Sequence, residues 1–429
     1  MKRFLILPCM LISSCTLFSQ VTVKQDVKDL IRKSFTFFPA IKEKEQTLVT
    51  AKEKMQLTEL NKYPDITADA GYTFVQPKIE LPINGEKFQF APVHNVTGSI
   101  NATYALFDFG RLKAAVERSK KDIQLAQHQV EFSKCQLAYQ VATIYYNILY
   151  LQKAIAIEDS LLVYLQENKQ LIQTQLSNGT ALKIDALSIQ AAIDNENNRR
   201  IDLANTLQKQ VNLMEYTTGS PAKPTQAGFD FQVSTENVLQ TLALAQQQNP
   251  EFAIAKDKVQ QSNADLAIAQ LADKPMIGVR AGAGIRNGYV PYVNDLRFNY
   301  LAGLSFTVPI YNGGKAKQQQ KLQQQQIVQQ ELAIETLNNQ YKKDLMQALA
   351  DVNSAKERIK NTEGQIQQTK AAEKLAYQQM KNGVGTHLEI TQAGNRVQQA
   401  SFTRLQYEYQ LCLSQLELAR LMGIKYWEL

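Results

Sequence analysis

Hydrophobic positions repeat every seven residues in the segment from Arg111 to Ser177, which is 67 residues long and contains neither proline nor glycine. The first apolar row consists of Val116, Ile123, Val130, Leu137, Ile144 and Leu151, and the second consists of Val141, Ile148, Ile155 and Leu162. Rows with this spacing are the a and d positions of a coiled-coil helix. At 1.5 Å per residue the predicted helix is about 100 Å long, so we expect it to pack against other long helices.

The second half of the chain repeats the first. A shift of 204 residues carries the second apolar row onto Leu345, Val352, Ile359 and Ile366, Asn178-Gly179 onto Asn382-Gly383, and Gly219 onto Gly423. Further upstream, a shift of 211 carries Pro39 onto Pro250 and Pro64 onto Pro275. Several matches at one shift indicate an internal duplication. The two shifts differ by seven residues, which places an insertion between Pro64 and Asp108, in a predicted surface loop of the first copy.

Downstream of Pro64 in the first copy and Pro275 in the second, the hydrophobic period changes from helical to two. This alternation predicts four strands, at residues 64–76, 93–107, 275–286 and 297–310. Each strand has an apolar row and a small or polar row, which is typical of strands between lipid and water, and each reaches the roughly 9 to 11 residues that a tilted membrane strand needs. Aromatic residues near the strand ends fit the interfaces of a membrane. A soluble pair of hairpins, covered by another element, is the alternative.

The other predicted elements complete two equivalent repeats. The first repeat spans 21–219, with a long helix at 111–177, a tip at 178–180 and a return helix at 181–217. The second spans 236–423, with a long helix at 315–381, a tip at 382–385 and a return helix at 386–422. Segment 220–235 is a Gly- and Pro-containing linker, and 424–429 is a tail. Each long helix is expected to lie against two shorter helices stacked end to end.

Residues 1–20 have the layout of a secretory leader, with Lys2-Arg3 before an apolar run from Phe4 to Leu11. Cleavage near Ser19-Gln20 is favoured. The sequence Ile12-Ser13-Ser14-Cys15 also resembles a lipobox, in which Cys15 would be lipidated, but the apolar Leu17 and Phe18 would be an unusual start for a lipoprotein.

Composition excludes several classes of function. The net charge of +7 is mild for 429 residues, and the Lys and Arg residues alternate with Glu and Gln, which indicates solvated helix faces rather than nucleic-acid binding. No catalytic, cofactor-binding or metal-binding set is found, because His94, His128 and His387 are far apart in a helical layout. Cys135 and Cys412 are expected to be unpaired. The sequence therefore predicts a protein that is not an enzyme and needs no cofactor.

Four strands cannot close a barrel, and an open sheet edge in hydrocarbon leaves backbone groups unpaired at a cost of several kcal/mol each. Other copies of the chain must close it. Two copies would give eight strands with a lumen filled by side chains, whereas three would give twelve strands around water. A continuous helical wall favours three copies.

The duplicated series of motifs resembles the TolC-like outer-membrane efflux protein family. The motifs are Phe38-Pro39 and Asn249-Pro250, the hairpin prolines Pro64 and Pro275, the segments 106–111 and 309–315, and the turns Asn178-Gly179 and Asn382-Gly383. The resemblance covers about Asp26 to Gly423. It implies a mixed fold, all-α with a membrane β-barrel, in which a homotrimer forms an α-helical tunnel, a 12-stranded barrel and an equatorial belt of linker and tail, in the outer membrane of a Gram-negative bacterium and extending into the periplasm.

The resemblance also implies partners and site residues. A periplasmic adaptor is expected to contact the tips, which are Asn178, Gly179, Thr180, Asn382, Gly383, Val384, Gly385 and Thr386. The family's acidic periplasmic gate maps onto Asp185, Ser188, Glu389 and Gln392. Two of these four positions are neutral, which lowers the expected charge of the gate. The alternative for Asp185 and Glu389 is a solvated carboxylate at a helix start, where the helix dipole favours negative charge.

The expected function is a passive exit duct that carries small molecules, such as drugs, from an inner-membrane pump of the RND or ABC type. The alternatives are the outer-membrane channel of type I protein secretion, which works with an ABC transporter, and a periplasmic coiled-coil scaffold. The sequence contains only 8 methionines, which are unclustered and argue against a dedicated copper duct.

Overall fold

The computed structural model describes residues 21–83, 86–221, 224, 228–233 and 237–428. The predicted leader, with Cys15 and both processing sites, lies outside the described residues. So do parts of the predicted linker, at 222–223, 225–227 and 234–235, the first residue of the predicted second repeat, Glu236, and Leu429 of the predicted tail.

The first copy contains three helical segments before its tip and one after it. Its elements in chain order are β1 (Val21–Thr22), α1 (Gln25–Phe37), α2 (Pro39–Leu60), β2 (Asp65–Phe74), β3 (Glu80–Ile83), β4 (Glu86–Gln89), β5 (His94–Phe107), α3 (Arg111–Ser177) and α4 (Lys183–Thr218). The second copy follows the same plan without an equivalent of β3 and β4. Its elements are β6 (Gln232–Val233), α5 (Val238–Gln248), α6 (Pro250–Gln270), β7 (Met276–Arg286), β8 (Arg297–Thr307), α7 (Lys315–Lys381) and α8 (His387–Met422). None of the described helices has an apolar stretch long enough to cross a bilayer.

One proline in each copy, Pro39 or Pro250, separates one helix from the next. Pro39 and Pro250 are the first residues of α2 and α6, where a missing N–H and a fixed φ are tolerated. Asn249, which the sequence suggests as an N-cap, has a further role in the structure. Its amide donates to the carbonyls of Arg420 at 3.1 Å and Leu421 at 3.0 Å, in the last turn of α8. Asn249 therefore ties the α5–α6 junction to the end of α8.

The chain divides into two compact units. The helical unit comprises the residues up to Lys42, Glu131–Pro250 and Asn338–Leu429, and the sheet unit comprises Glu43–Val130 and Glu251–Leu337.

The core of the helical unit is built around the middle of α3, where both predicted apolar rows are buried. Its buried members from α3 include Leu137, Val141, Ile144, Tyr145, Tyr146 and Ile148. Phe231 from the predicted linker and Tyr426 and Trp427 from the predicted tail join the same cluster. The Trp427 ring packs edge to face on Phe35, and its carbonyl accepts a hydrogen bond from Arg32. The end of the chain is therefore part of the core.

The sheet unit contains one four-stranded antiparallel sheet in the order β2-β5-β7-β8. The two hairpins join through β5 and β7, where Ala102 lies opposite Ala281 and Ile100 opposite Ala283. Strands β2 and β8 are the two edges. One face carries large apolar side chains, among which Tyr300 is 80% and Leu304 77% exposed. The opposite face is polar, and Asn101 there donates to Asp69 at 2.9 Å.

Helix α3 is fixed to the connection between α6 and β7 at its first residue. The Arg111 guanidinium donates to the carbonyls of Leu271, Ala272 and Lys274. Further along, Arg118 forms an ion pair with Asp265 on α6 at 2.6 Å. These contacts orient the start of the helix beside the sheet.

Helices α3 and α7 cover the residues predicted for them, but other boundaries differ. Strand β8 ends at Thr307 instead of residue 310, because Pro309 lacks the N–H that a ladder requires. Helix α4 begins at Lys183 instead of residue 181, because Leu182 has an extended backbone with φ −91° and ψ 149°. The loop predicted to hold the insertion contains a hairpin of β3 and β4. Asn84-Gly85 in the sequence is typical of a tight hairpin turn and could have indicated it.

Candidate periplasmic gate and docking tips

The first tip turns the chain between α3 and α4 at Gly179. The Gly179 φ of +74° lies in the left-handed region, which glycine adopts without the strain that other residues meet. The Gly179 N–H donates to Leu176 at 3.1 Å, and the Thr180 N–H to Gln175 at 2.9 Å. These bonds satisfy carbonyls at the end of α3, as a glycine C-cap does.

The second tip has the same construction. Gly383 also has a φ of +74°, and the N–H groups of Val384 and Gly385 both donate to the carbonyl of Gln379, at 3.0 and 3.2 Å. A Cβ added at Gly179 or at Gly383 would meet no atom within 4 Å. Both tips therefore have open space around their glycines.

Large apolar side chains are exposed beside both tips. They are Leu182, Ile184 and Leu187 next to the first tip, and Val384 and Leu388 next to the second. Val384 is 82% exposed. Apolar side chains grouped in this way are characteristic of a surface that another protein covers.

The carboxylates of Asp185 and Glu389 each accept a backbone N–H at the start of a return helix. The Glu389 carboxylate accepts the Thr386 N–H at 2.9 Å, and the Thr386 hydroxyl accepts the Glu389 N–H at 3.3 Å, which together form a capping box. The Asp185 carboxylate accepts the Leu182 N–H at 3.0 Å. The Leu182 side chain has no oxygen that could accept the Asp185 N–H in return, so the second bond of a capping box is not formed. The structure thus supports the helix-start role of both carboxylates, and their role in a gate stays a prediction.

The starts of the two return helices are neighbours. Burial lowers the pKa of His387 below its ordinary value, and the nearby Asp185 carboxylate opposes that shift. The sequence pattern did not indicate this proximity, because the two residues belong to different copies and lie 202 positions apart. Ser188 and Gln392, the neutral gate candidates, are exposed one turn further along α4 and α8.

A family model described as outer membrane efflux protein matches residues 38–219 and 241–424. Comparison with curated proteins finds no match. Among solved structures, the chain is similar to CusC, with 18% identity, a TM-score of 0.78 and coverage of 95% of each chain. It is also similar to the outer membrane protein VceC from Vibrio cholerae, with 16% identity, a TM-score of 0.75 and coverage of 93% of this chain and 96% of that one. For the open state of the MtrE outer membrane channel of Neisseria gonorrhoeae, the identity is 17%, the TM-score 0.74 and the coverage 92% and 88%.

These likenesses confirm the fold class predicted from the sequence. It is a tandem repeat of helix, β-hairpin, long helix, tip turn and return helix, of the kind that forms trimeric channels with a helical tunnel and a barrel.

Proposed function

Because this chain belongs to the outer membrane efflux protein family, we propose that it is the exit duct of a tripartite efflux system for small molecules such as drugs. The protein is a channel of the outer membrane that extends into the periplasm, and it is not an enzyme. The inner-membrane pump supplies the energy, and a periplasmic adaptor connects the pump to the duct.

The observation that carries this proposal is the four-stranded sheet with an apolar face and two open edges. Strands β2 and β8 are 10 and 11 residues long, and each leaves one row of N–H and C=O groups without a partner strand among the described residues. Such groups are tolerated in a membrane only when another strand pairs with them. Three copies, joined from β8 of one to β2 of the next, give a closed 12-stranded barrel wide enough for water.

The protein extracted in mild detergent is therefore expected to be a trimer. The measurement is its mass by light scattering combined with absorbance and refractive index, which separates protein from detergent. A stable monomer that keeps its β-structure by circular dichroism would contradict the closure of the barrel by edge pairing.

The tips are the surfaces that we assign to the adaptor. They combine open space around Gly179 and Gly383 with exposed apolar side chains on both sides. A trimer would present six such tips together. We also assign an equatorial belt to the linker and the tail, which is supported by the packing of Phe231, Tyr426 and Trp427 in one core.

Replacing both tip glycines with valine is expected to abolish drug export and leave the trimer intact. An added Cβ would meet no atom within 4 Å at either site, so we expect the main cost to be backbone strain of roughly 1–2 kcal/mol per site. The side chains would instead obstruct a docking partner. The measurement is the minimal inhibitory concentration of exported drugs in cells that lack other exit ducts, together with the amount of trimer in the outer membrane.

The matched control replaces Gly110 and Gly314, which precede α3 and α7, with valine. These glycines also have positive φ, of 92° and 77°, and no atom within 4 Å of an added Cβ. The control double variant is expected to export normally. Drug resistance that is unchanged in the tip variant, at normal trimer levels, would refute docking at the tips. Loss of polypeptide secretion without any change in drug resistance would favour type I secretion instead.

A further inference from the structure

Among the described residues of the helical unit, one acidic side chain is fully buried. Glu158 on α3 has an exposure of 0%. It continues the first apolar row of α3, because it lies seven residues after Leu151 and seven before Leu165, both of which are buried. A carboxylate at such a position costs several kcal/mol unless it is paired or protonated. The surroundings of Glu158 therefore determine its state of charge.

A second carboxyl group and an amide from two other helices meet Glu158. Gln398 on α8 donates its Nε2 to Oε2 of Glu158 at 2.6 Å and to Oε2 of Glu196 on α4 at 3.1 Å. The carboxyl groups of Glu158 and Glu196 therefore share one donor and lie close to each other. Two carboxylates that close together repel each other, and protonation of one of them removes the repulsion.

Among the described residues, the cation that contacts both carboxyl groups is Arg199, which is half-solvated. The Arg199 guanidinium lies 3.6 Å from Oε1 of Glu158 and 3.2 Å from Oε2 of Glu196, and its side chain is 55% exposed. Oε1 of Glu158 is buried and has no hydrogen-bond partner among the described residues. The adjacent Asp159 is paired with Arg200 at 2.5 Å. One cation against two carboxyl groups leaves a buried excess of negative charge that a single proton neutralises.

We infer that Glu158 carries a proton beside the Glu196 carboxyl group, and that Glu158, Glu196 and Gln398 together form a clasp that fastens α4 and α8 to α3. Loss of the proton leaves two like charges close together, one of them on the fully buried Glu158. The two carboxylates repel each other and require hydration, so α8 then separates from α3 around Gln398 and Glu158. The clasp belongs to the single chain and stands whether or not the proposed cargo and partners are correct.

The pH range follows from the titration of Glu158. Burial raises the pKa of Glu158 to about 7, the Glu196 carboxyl adds to the rise, and Arg199 opposes it. The folded protein therefore binds a proton that the unfolded chain has already lost at pH 5 to 7, and stability falls as the pH rises through this interval. The contribution of the clasp is complete below the ordinary pKa of 4.5 and absent above about pH 8.

Amide hydrogen exchange of the full-length protein in detergent tests this clasp. At pH 8.5, compared with pH 5.5, the amides at 394–402 on α8 are expected to open at least about tenfold more often, after correction for intrinsic exchange rates. Glu158→Gln keeps the shape and remains neutral, so its opening is expected to be independent of pH. Glu196→Gln removes the neighbouring charge and is expected to move the transition to lower pH. Glu167→Gln, at an exposed glutamate on the same helix, is the matched control and is expected to follow the parent.

Infrared spectroscopy detects a protonated carboxyl group directly. The parent and Glu167→Gln are expected to show the C=O stretch of a buried protonated carboxyl group at pH 6, and Glu158→Gln is expected to lack it. The inference would be overturned by a parent whose opening is as independent of pH as that of Glu158→Gln, or by a protonated-carboxyl band that persists in Glu158→Gln.

Discussion

Gly423→Ala is expected to cause the largest loss of stability of any single methyl addition at the helix ends, by more than about 3 kcal/mol. Gly423 ends α8 with a left-handed φ of +73°. A Cβ at this position would lie 2.6 Å from Cα of Asn249, 2.7 Å from its N and 2.8 Å from the carbonyl carbon of Gln248. All three are backbone atoms, so they cannot rotate away as a side chain can. The junction that Asn249 forms with the end of α8 would have to separate.

Two other glycines provide matched controls for this effect. Gly219 ends α4 with a φ of +71°, and an added Cβ would lie 2.6 Å from the ring of Phe37, which is partly exposed and can move. Gly383 has a φ of +74° and open space. We expect Gly383→Ala to be the least destabilising of the three substitutions, Gly219→Ala to be intermediate and Gly423→Ala to be the most destabilising. The measurement is the thermal unfolding midpoint by far-ultraviolet circular dichroism in one detergent. Equal midpoints for all three variants would mean that backbone strain, and not the contact with Asn249, determines the cost.

The long helices could be predicted because their signal is local and repeated. Helices α3 and α7 each have 67 residues and carry an apolar row with a seven-residue period. Helix α3 contains neither glycine nor proline, Gly364 is the one glycine in α7, and the glycines that flank both helices are strong local stop signals. The four strands of the sheet were likewise predicted to within three residues of their ends, since alternation of apolar and polar residues depends only on the two faces of the sheet.

Contacts between distant residues could not be predicted in this way. The hydrogen bonds from Asn249 to α8 span 171 and 172 residues, and the sequence around Asn249-Pro250 is equally typical of a helix N-cap. Gln398 lies 240 residues from Glu158. A glutamate in an apolar row marks an unusual position, but the sequence cannot show which groups neutralise it. Similarly, the gate candidates carry the same residue types whether they cap a helix or line a pore.

The capping geometry makes the gate hypothesis testable without damage to the helix. Glu389→Gln keeps a side-chain oxygen that can accept the Thr386 N–H, and Asp185→Asn does the same for the Leu182 N–H. Each substitution therefore removes charge and preserves the cap, whereas alanine would also cost about 0.5–2 kcal/mol through loss of the cap. Since the pKa of His387 lies below its ordinary value, this residue is neutral at pH 7.5 and does not cancel the carboxylates.

Block of the channel by divalent cations is the expected consequence. In a trimer, Asp185 and Glu389 supply six carboxylates, and like charges brought together at a constriction are relieved by a bound cation. Mg²⁺ added on the periplasmic side of single channels in planar bilayers is expected to reduce the current of the parent. Glu389→Gln removes half of these charges and is expected to weaken the block by about tenfold. The neutral Gln392 and Ser188 limit the block in the parent. If the parent is not blocked, or if Glu389→Gln is blocked as strongly as the parent, Glu389 serves only to start α8 and the gate must be formed by other residues.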